Sequence, residues 1–407
     1  MPADVMNAWL DSGKFAQIED ISVKPKYHPT IAHTPLSVQK GQAETYFLEA
    51  DDSKRWILKK FYPNKCPDTP YLKTISSILP SHNAFRCGTE RKIFTDTSLK
   101  KVSGFYHSKI FDRWLKDTVL MPQIEGIDWV CLAEQIRKNE VNLSEIQRIS
   151  LCKGLVEIVK MLESKSLSHR DISNGNIFID PRTLSVSLID FDSVYNPDLV
   201  MPSATTVGSE GYTAAFIDRD DVNSTYCSQA DRFALTVLCI EFLILTSESP
   251  FNHEGGIFDQ DEILKRSGSS INYAKKQLQK FHPQPAKFFD KAIKSRSFQD
   301  CPSPDEWLSF CKQSGEFISV NDLPEVVLKL PEIRPVTNIT ILENAWKNKK
   351  GKSKNGVYPQ FNFLDLSPVT VSKRPYHHLD YLNDPLLPAK KGILKDIAKY
   401  FSPKLNC

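Results

Sequence analysis

The chain is predicted to be an α+β protein of two unequal lobes, a small β-rich lobe followed by a larger helical one. Three observations predict it. Strand-like runs separated by polar turns crowd the span from Leu36 to Phe61. Helical patterning takes over further on, with Leu155, Ile158, Val159 and Leu162 at i, i+3, i+4 and i+7 and an apolar run over Phe233–Thr246. In that second part, two apolar runs, Asn176–Ile179 and Leu184–Ile189, bracket the turn residues Asp180-Pro181-Arg182-Thr183 and read as a hairpin.

The small lobe comes first. Residues 1–34 carry little periodicity, are interrupted by Pro25 and Pro29, and read as an N-terminal extension. Strand-like Leu36-Ser37-Val38 is followed by a polar turn over Gln39–Glu44, then by Thr45–Ala50, a turn over Asp51–Lys54, and Arg55–Phe61. In the last run Lys59 shares a strand face with Ile57, and Lys60 is its competitor for register. Ser81–Thr95 reads as helical, with Glu90 and Phe94 four residues apart on one face, or as a solvated helix surface. Val119–Asp128 reads as a strand entering a turn, which a buried strand with a surface turn also fits.

In the second lobe, Ser144 opens a helix with a capping box to Gln147. That helix delivers the chain to His169-Arg170-Asp171-Ile172-Ser173-Asn174-Gly175-Asn176. The hairpin thus places Asp171 and Asn176 before its first strand and Asp190 after its second. Ser303-Pro304-Asp305-Glu306 is a second capping box, with proline at the first helical position. Beyond about residue 315 prolines, a lysine cluster from Lys347 to Lys354 and scattered aromatics take over; the prolines indicate an extended connector and the aromatics oppose full disorder. The resulting division is 1–34, 35–122, 123–315 and 316–407.

Composition excludes some classes. With 407 residues, a net charge of +3 and 41% hydrophobic residues, nothing demands nucleic acid or an anionic membrane as partner. The nine cysteines form no C-x-x-C pair or metal-ligand rhythm and read as reduced thiols of a cytoplasmic protein. The N-terminus lacks a basic and an apolar signal region. Phe233–Thr246 is shorter than the roughly 20 residues of a membrane span and contains Glu241.

The spacing H-R-D-x-x-x-x-N at 169–176, followed by Asp190-Phe191-Asp192, resembles the catalytic loop and metal-binding turn of protein kinases. Gly208-Ser209-Glu210-Gly211-Tyr212 resembles the close of a kinase activation segment, and Ser228–Leu235 the start of its central helix. The motifs occur in family order across roughly 36–315, and the wording around Asp190 resembles a divergent bacterial branch of eukaryote-like kinases. The resemblance implies a bilobal fold using ATP and Mg2+. Asp171 would be the base, Asn176 and Asp190 the metal ligands, and Lys59, braced by Glu90, the holder of the phosphates. Met121 would be gatekeeper, Gln123 would offer backbone groups to adenine, Asp128 would lie near the ribose, and Gly41 would belong to the phosphate-covering loop. His169 and Phe191 would pack beneath the site with Phe94, Arg170 would pair with a phosphate on Ser203, Thr205 or Thr206, and Asp231 would accept backbone bonds from the catalytic loop. Ser209 points to serine/threonine hydroxyls of a protein substrate, and the tail would dock on the kinase body or a partner.

The departures are local. Val38, Lys40 and Ala43 stand in the usual glycine places, Ser173 replaces a lysine, and Asp192 replaces the glycine of D-F-G. Phe216 and Cys301 replace both halves of an ion pair, which implies an apolar substitute. Two alternatives compete with an active protein kinase: a pseudokinase or scaffold, favoured by the eroded loop, and a small-molecule kinase of the aminoglycoside or choline type, favoured by Asp192.

Overall fold

The structure, a computed structural model, describes residues 2–18, 21–40, 42–78, 92–94, 108–180, 182–202, 206–252 and 254–314. The tail predicted from residue 316 and its docking lie outside them, as do Gly41, Glu90, Ser203 and Thr205.

Alternating sequence builds the N-terminal lobe. Strands β1 (Ala16–Ile18), β2 (Ile21–Pro25), β3 (Ser37–Lys40), β4 (Ala43–Ala50), β5 (Arg55–Phe61), β6 (Lys92–Phe94) and β7 (Thr118–Pro122) form one sheet in the order β1-β2-β4-β5-β7-β6, with β3 also on β4. The long β4 carries β3 on one half of an edge, through Ser37↔Tyr46, and β2 on the other, through Lys24↔Glu49. Among the described residues, three helices belong to this part of the chain: α1 (Pro2–Ser12), α2 (Thr69–Ile78) and α3 (Ser108–Leu115). Period-two alternation turns Tyr46, Leu48, Trp56 and Leu58 to the outer face, where Met6 and Trp9 of α1 and Phe111, Trp114 and Leu115 of α3 cover them. Trp9 meets Phe111 edge to face at 5.0 Å. Burying each of these large side chains is worth about 2–3 kcal/mol relative to exposure. Residues 1–34 thus contribute a helix and two strands to the lobe itself.

The segment predicted helical over Ser81–Thr95 is different where it is described. Ile93 and Phe94 form β6, pairing with Val119 and Thr118, so the β-propensity of Ile-Phe beside an open strand edge prevails.

The C-terminal lobe is helical around a small sheet of β8 (Ile127–Asp128), β9 (Ile177–Ile179) and β10 (Val186–Leu188), in the order β10-β9-β8. Its helices are α4 (Trp129–Arg137), α5 (Glu145–Ser164), α6 (Arg232–Ile244), α7 (Gln260–Lys265), α8 (Ser269–Phe281), α9 (Pro283–Lys294) and α10 (Pro304–Ser314). Both predicted capping boxes form: Ser144 with Gln147 and Ser303 with Glu306. From Phe233 to Ile244, α6 is buried all round, as suits a central core helix. Its one carboxylate, Glu241, accepts bonds from Ile257 N at 2.6 Å, Tyr212 OH at 3.0 Å and Trp129 Nε1 at 3.1 Å. Among the described residues, no helix is long and apolar enough to cross a membrane.

Candidate active site

The predicted hairpin is present: Val186↔Ile179, Ser187↔Phe178 and Leu188↔Ile177 pair β10 with β9. Ile189 N donates to Asn176 O at 3.0 Å, drawing Asp190 towards Asn176. The loop ahead of the hairpin is fixed from below. Asp231, at the start of α6, accepts His169 N at 2.6 Å and Arg170 N at 2.8 Å, as the resemblance implies. Burial pushes the Asp231 carboxyl above the usual carboxylate range, against the pull of His169 and these two N–H groups. His169 Nε2 bonds Ile189 O at 2.9 Å, and its ring meets Phe191 edge to face at 4.9 Å.

Asp171 is oriented on both oxygens. Asn176 Nδ2 donates to its backbone carbonyl at 2.8 Å and to Oδ2 at 3.3 Å, while Ser209 Oγ donates to Oδ1 at 2.8 Å. The activation-segment hydroxyl therefore touches the predicted base, a contact that its use as a marker of substrate class does not anticipate.

Across the cleft, the register question between two lysines is decided by strand alternation. Lys60 points outwards, with its ammonium over the Trp114 ring and bonded to Lys116 O. Lys59 points inwards and donates to Asp190 Oδ1 at 2.6 Å and to Asp192 Oδ2. Burial alone would lower the Lys59 pKa, but the two carboxylates outweigh it and raise it. Burial alone would raise that of Asp190, yet the Lys59 ammonium holds it well below the usual range. Asp190 itself is left-handed, at φ 70° and ψ 60°.

Other predicted residues sit differently. Met121 is half-buried opposite Ile57, within the sheet and against the core. Gln123 gives its N–H to Arg55 O at 2.9 Å, extending the β5–β7 ladder. The Gln123 N–H is therefore committed to strand pairing. Asp128, expected near the ribose, is fully buried as the N-cap of α4 and accepts from Cys131 N at 2.7 Å. Gly41 and Glu90 lie outside the described residues, as do the side-chain surroundings of Phe94. Gln39 and Lys40 of the expected polar turn are part of β3, and Ala43 and Glu44 part of β4, paired Gln39↔Glu44 and Lys40↔Ala43.

Arg170 is also unlike its expectation. It is buried, with φ 68°, and donates to Ser193 O, Thr206 O, Val222 O, Thr225 O and Thr225 Oγ1 at 2.9–3.1 Å, its guanidinium over the Tyr226 ring. Oxygens of the chain occupy the guanidinium that was expected to meet a phosphate. Phe216 meets Phe298 edge to face at 5.0 Å, and Cys301 is buried with its thiol at 3.4 Å from Ser295 Oγ.

Sequence reasoning missed α2 and the Lys59–Asp192 pair. The helix had a signal: Pro70 in its first turn, then Tyr71, Leu72, Ile75 and Ile78 along one face. The pair had none, because it depends on a contact across 133 residues.

Asn176 has its amide nitrogen committed to Asp171, which leaves Oδ1 to accept, and Asp190 already draws a cationic group to Oδ1. An all-oxygen pair of this kind fits a hard cation such as Mg2+. A family model for the protein kinase domain matches residues 81–310, more than half of the chain. The chain is similar to the liver/testis isoform of the phosphorylase b kinase gamma catalytic chain of Mus musculus, Homo sapiens and Bos taurus, each 24% identical over 224 residues, 51% of this chain and 54% of the relative. It therefore spans about half the length of these curated relatives. The matched domain covers the loop, the hairpin and the helix that anchors them, and the chain belongs to the protein kinase family.

Proposed function

We propose that this chain is a protein kinase that uses Mg-ATP to phosphorylate serine and threonine hydroxyls of proteins. The observation that carries the reading is the double orientation of Asp171, by Asn176 on one side and Ser209 Oγ on the other. A base held on both oxygens is aimed before the acceptor arrives, and proximity of this sort supplies much of the rate in phosphoryl transfer. Ser209 stands where serine/threonine kinases place a hydroxyl, which supports that acceptor class.

Asp171 accepts the proton of the acceptor hydroxyl as its oxygen bonds to the γ-phosphorus and ADP departs. Lys59 holds the phosphates from the N-terminal side. Asn176 and Asp190 would hold the metal; when bound, Mg-ATP supplies the phosphoryl group and the cation that neutralises its charge. Seven cysteines among the described residues are free thiols, which supports a reducing, cytoplasmic setting.

A pseudokinase is the second reading, favoured by Val38, Lys40 and Ala43, which stand where a phosphate-covering loop usually has glycines. A small-molecule kinase loses support, because the Gly208–Ala214 segment is bonded to the base through Ser209.

Labelled Mg-ATP with a generic protein substrate, run beside Asp171→Asn and Asp190→Ala, tests the proposal. Transfer by the wild type should fall at least about 10²-fold in each variant. Label transfer that survives in both sinks the site assignment. No transfer by the wild type, with Mg-ATP still raising its melting temperature, establishes the pseudokinase.

A further inference from the structure

We propose that Asp192 is the positioning residue for Lys59, the carboxylate that keeps the ammonium aimed at the nucleotide phosphates once Asp190 is engaged by metal. The inference rests on the kinase reading for its purpose and on the geometry of the turn for its substance.

Lys59 is enclosed, with its side chain 14% exposed, and a buried ammonium needs a partner of opposite charge. Among the described residues it has two, Asp190 and Asp192. They differ in what else they do. Asp190 is open enough, at 37%, to serve a cation as well, whereas the Asp192 side chain is 6% exposed and faces Lys59 from within the protein. When the first carboxylate turns to a metal ion, the second is the one that remains with the lysine.

The backbone explains why two carboxylates two residues apart reach one ammonium. Asp190 takes the left-handed conformation, and residues Phe191–Ser193 follow in a single helical turn. Phe191 between them is fully buried against His169 and pins that turn. From the other side, Tyr71 of α2 donates its hydroxyl to Val194 O, just beyond Asp192. The helix that clamps the turn has no acidic residue of its own: its sequence is TPYLKTISSI, and its buried face is Tyr71, Leu72 and Ile75. The turn therefore carries its own lysine-holding carboxylate, which a glycine at position 192 could not supply.

The experiment compares Asp192→Asn, Asp192→Gly and Asp192→Glu with the wild type, in the full chain. With a non-hydrolysable ATP analogue and Mg2+, calorimetry should show binding weakened about 10-fold or more in the Asn and Gly variants. Their kcat/KM for ATP should fall on the order of 10²-fold, the effect of a misplaced positioning group. Asp192→Glu should recover part of both, the half-saturating Mg2+ concentration should not change, and in a Lys59→Met background Asp192→Gly should add nothing. A raised Mg2+ requirement would make Asp192 a metal ligand and overturn the proposal, as would wild-type nucleotide affinity in Asp192→Asn. A further readout needs neither nucleotide nor transfer: acylation of Lys59 at fixed pH, followed by mass spectrometry. Several-fold faster labelling in Asp192→Asn is expected, and an unchanged rate refutes the anchor. A wild type that neither binds nucleotide nor transfers phosphate sinks the kinase reading alone, because the labelling still decides the role of Asp192.

Discussion

On the C-terminal wall of the cleft, His169, Arg170, Asp171 and Asn176 are fixed by short-range hydrogen bonds from Asp231, Ile189 and Ser209. On the N-terminal wall, Lys59 is held by charge reaching across the cleft from Asp190 and Asp192. The family match follows the same line, beginning at residue 81, after Lys59 and the first five strands. The difference teaches which constraints are hard. A base must be oriented to within a fraction of an ångström, and backbone donors anchored on a core helix do that with little freedom to vary. A phosphate-binding cation tolerates a different carboxylate, provided that some buried partner holds it. Departures from the family pattern lie on both walls, Val38 and Lys40 on the N-terminal side and Ser173 and Asp192 on the C-terminal side, while the hydrogen bonds that orient Asp171 are in place.

The sharpest way to break this asymmetry is at its anchor. Asp231→Ala leaves two buried N–H groups, those of His169 and Arg170, without their acceptor. Each such loss costs about 1–3 kcal/mol, so stability should fall by about 2–6 kcal/mol in urea denaturation. Transfer should fall further than in any N-terminal lobe variant of equal stability. If Asp231→Ala unfolds no more easily than the wild type, the C-terminal wall is not held as described. Next in size is Arg170→Lys. Five oxygens accept from the guanidinium, and an ammonium has only three donors without the planar fork. A loss of about 2 kcal/mol is expected. Proteolysis within residues 193–225, the stretch that these bonds tie down, should quicken. A variant as stable and as protease-resistant as the wild type would show that these carbonyl contacts do not order the segment.

The same asymmetry governs how far the sequence could be read. The placement of Asp171, Asn176, Asp190 and Asp231 was legible because each follows from short spacing within a hairpin or at a helix start. Lys59 was legible as one of two candidates, and only the sheet register excluded Lys60. Gln123 and Asp128 show what sequence does not reveal: a side chain or N–H that looks free can be engaged locally, here by strand pairing and by a helix cap. The first 34 residues gave too little pattern to reveal a helix and two strands, because β1 has three residues and β2 contains a proline. Asp192 was visible as an anomaly, and its partner became visible only in three dimensions.

The smallest expected effect tests whether the added edge of the N-terminal lobe is held by its own chemistry. In the turn between β2 and β3, His28 Nδ1 accepts Thr30 N and Ile31 N, each at 3.2 Å, so the ring must stay neutral on that nitrogen. Burial lowers its pKa from the usual 6.5 to about 4. A histidine whose folded pKa is depressed is protonated first in the unfolded chain. Its contribution is therefore complete above about pH 6.5 and is lost as the pH falls from there to about 4. Because the ring is only half-buried, about 1–2 kcal/mol is at stake. His28→Gln keeps a side-chain acceptor and removes the titration. Thermal melts of the wild type should lose stability across that window more steeply than those of His28→Gln, with the two curves running parallel above pH 7. Hydrogen exchange should place the difference in β1, β2 and α1 and leave the residues around Asp171 unaffected. Parallel curves over the whole range would remove His28 from the account, and a difference that spread to the catalytic loop would mean that the two walls of the cleft are coupled more tightly than their separate chemistries imply.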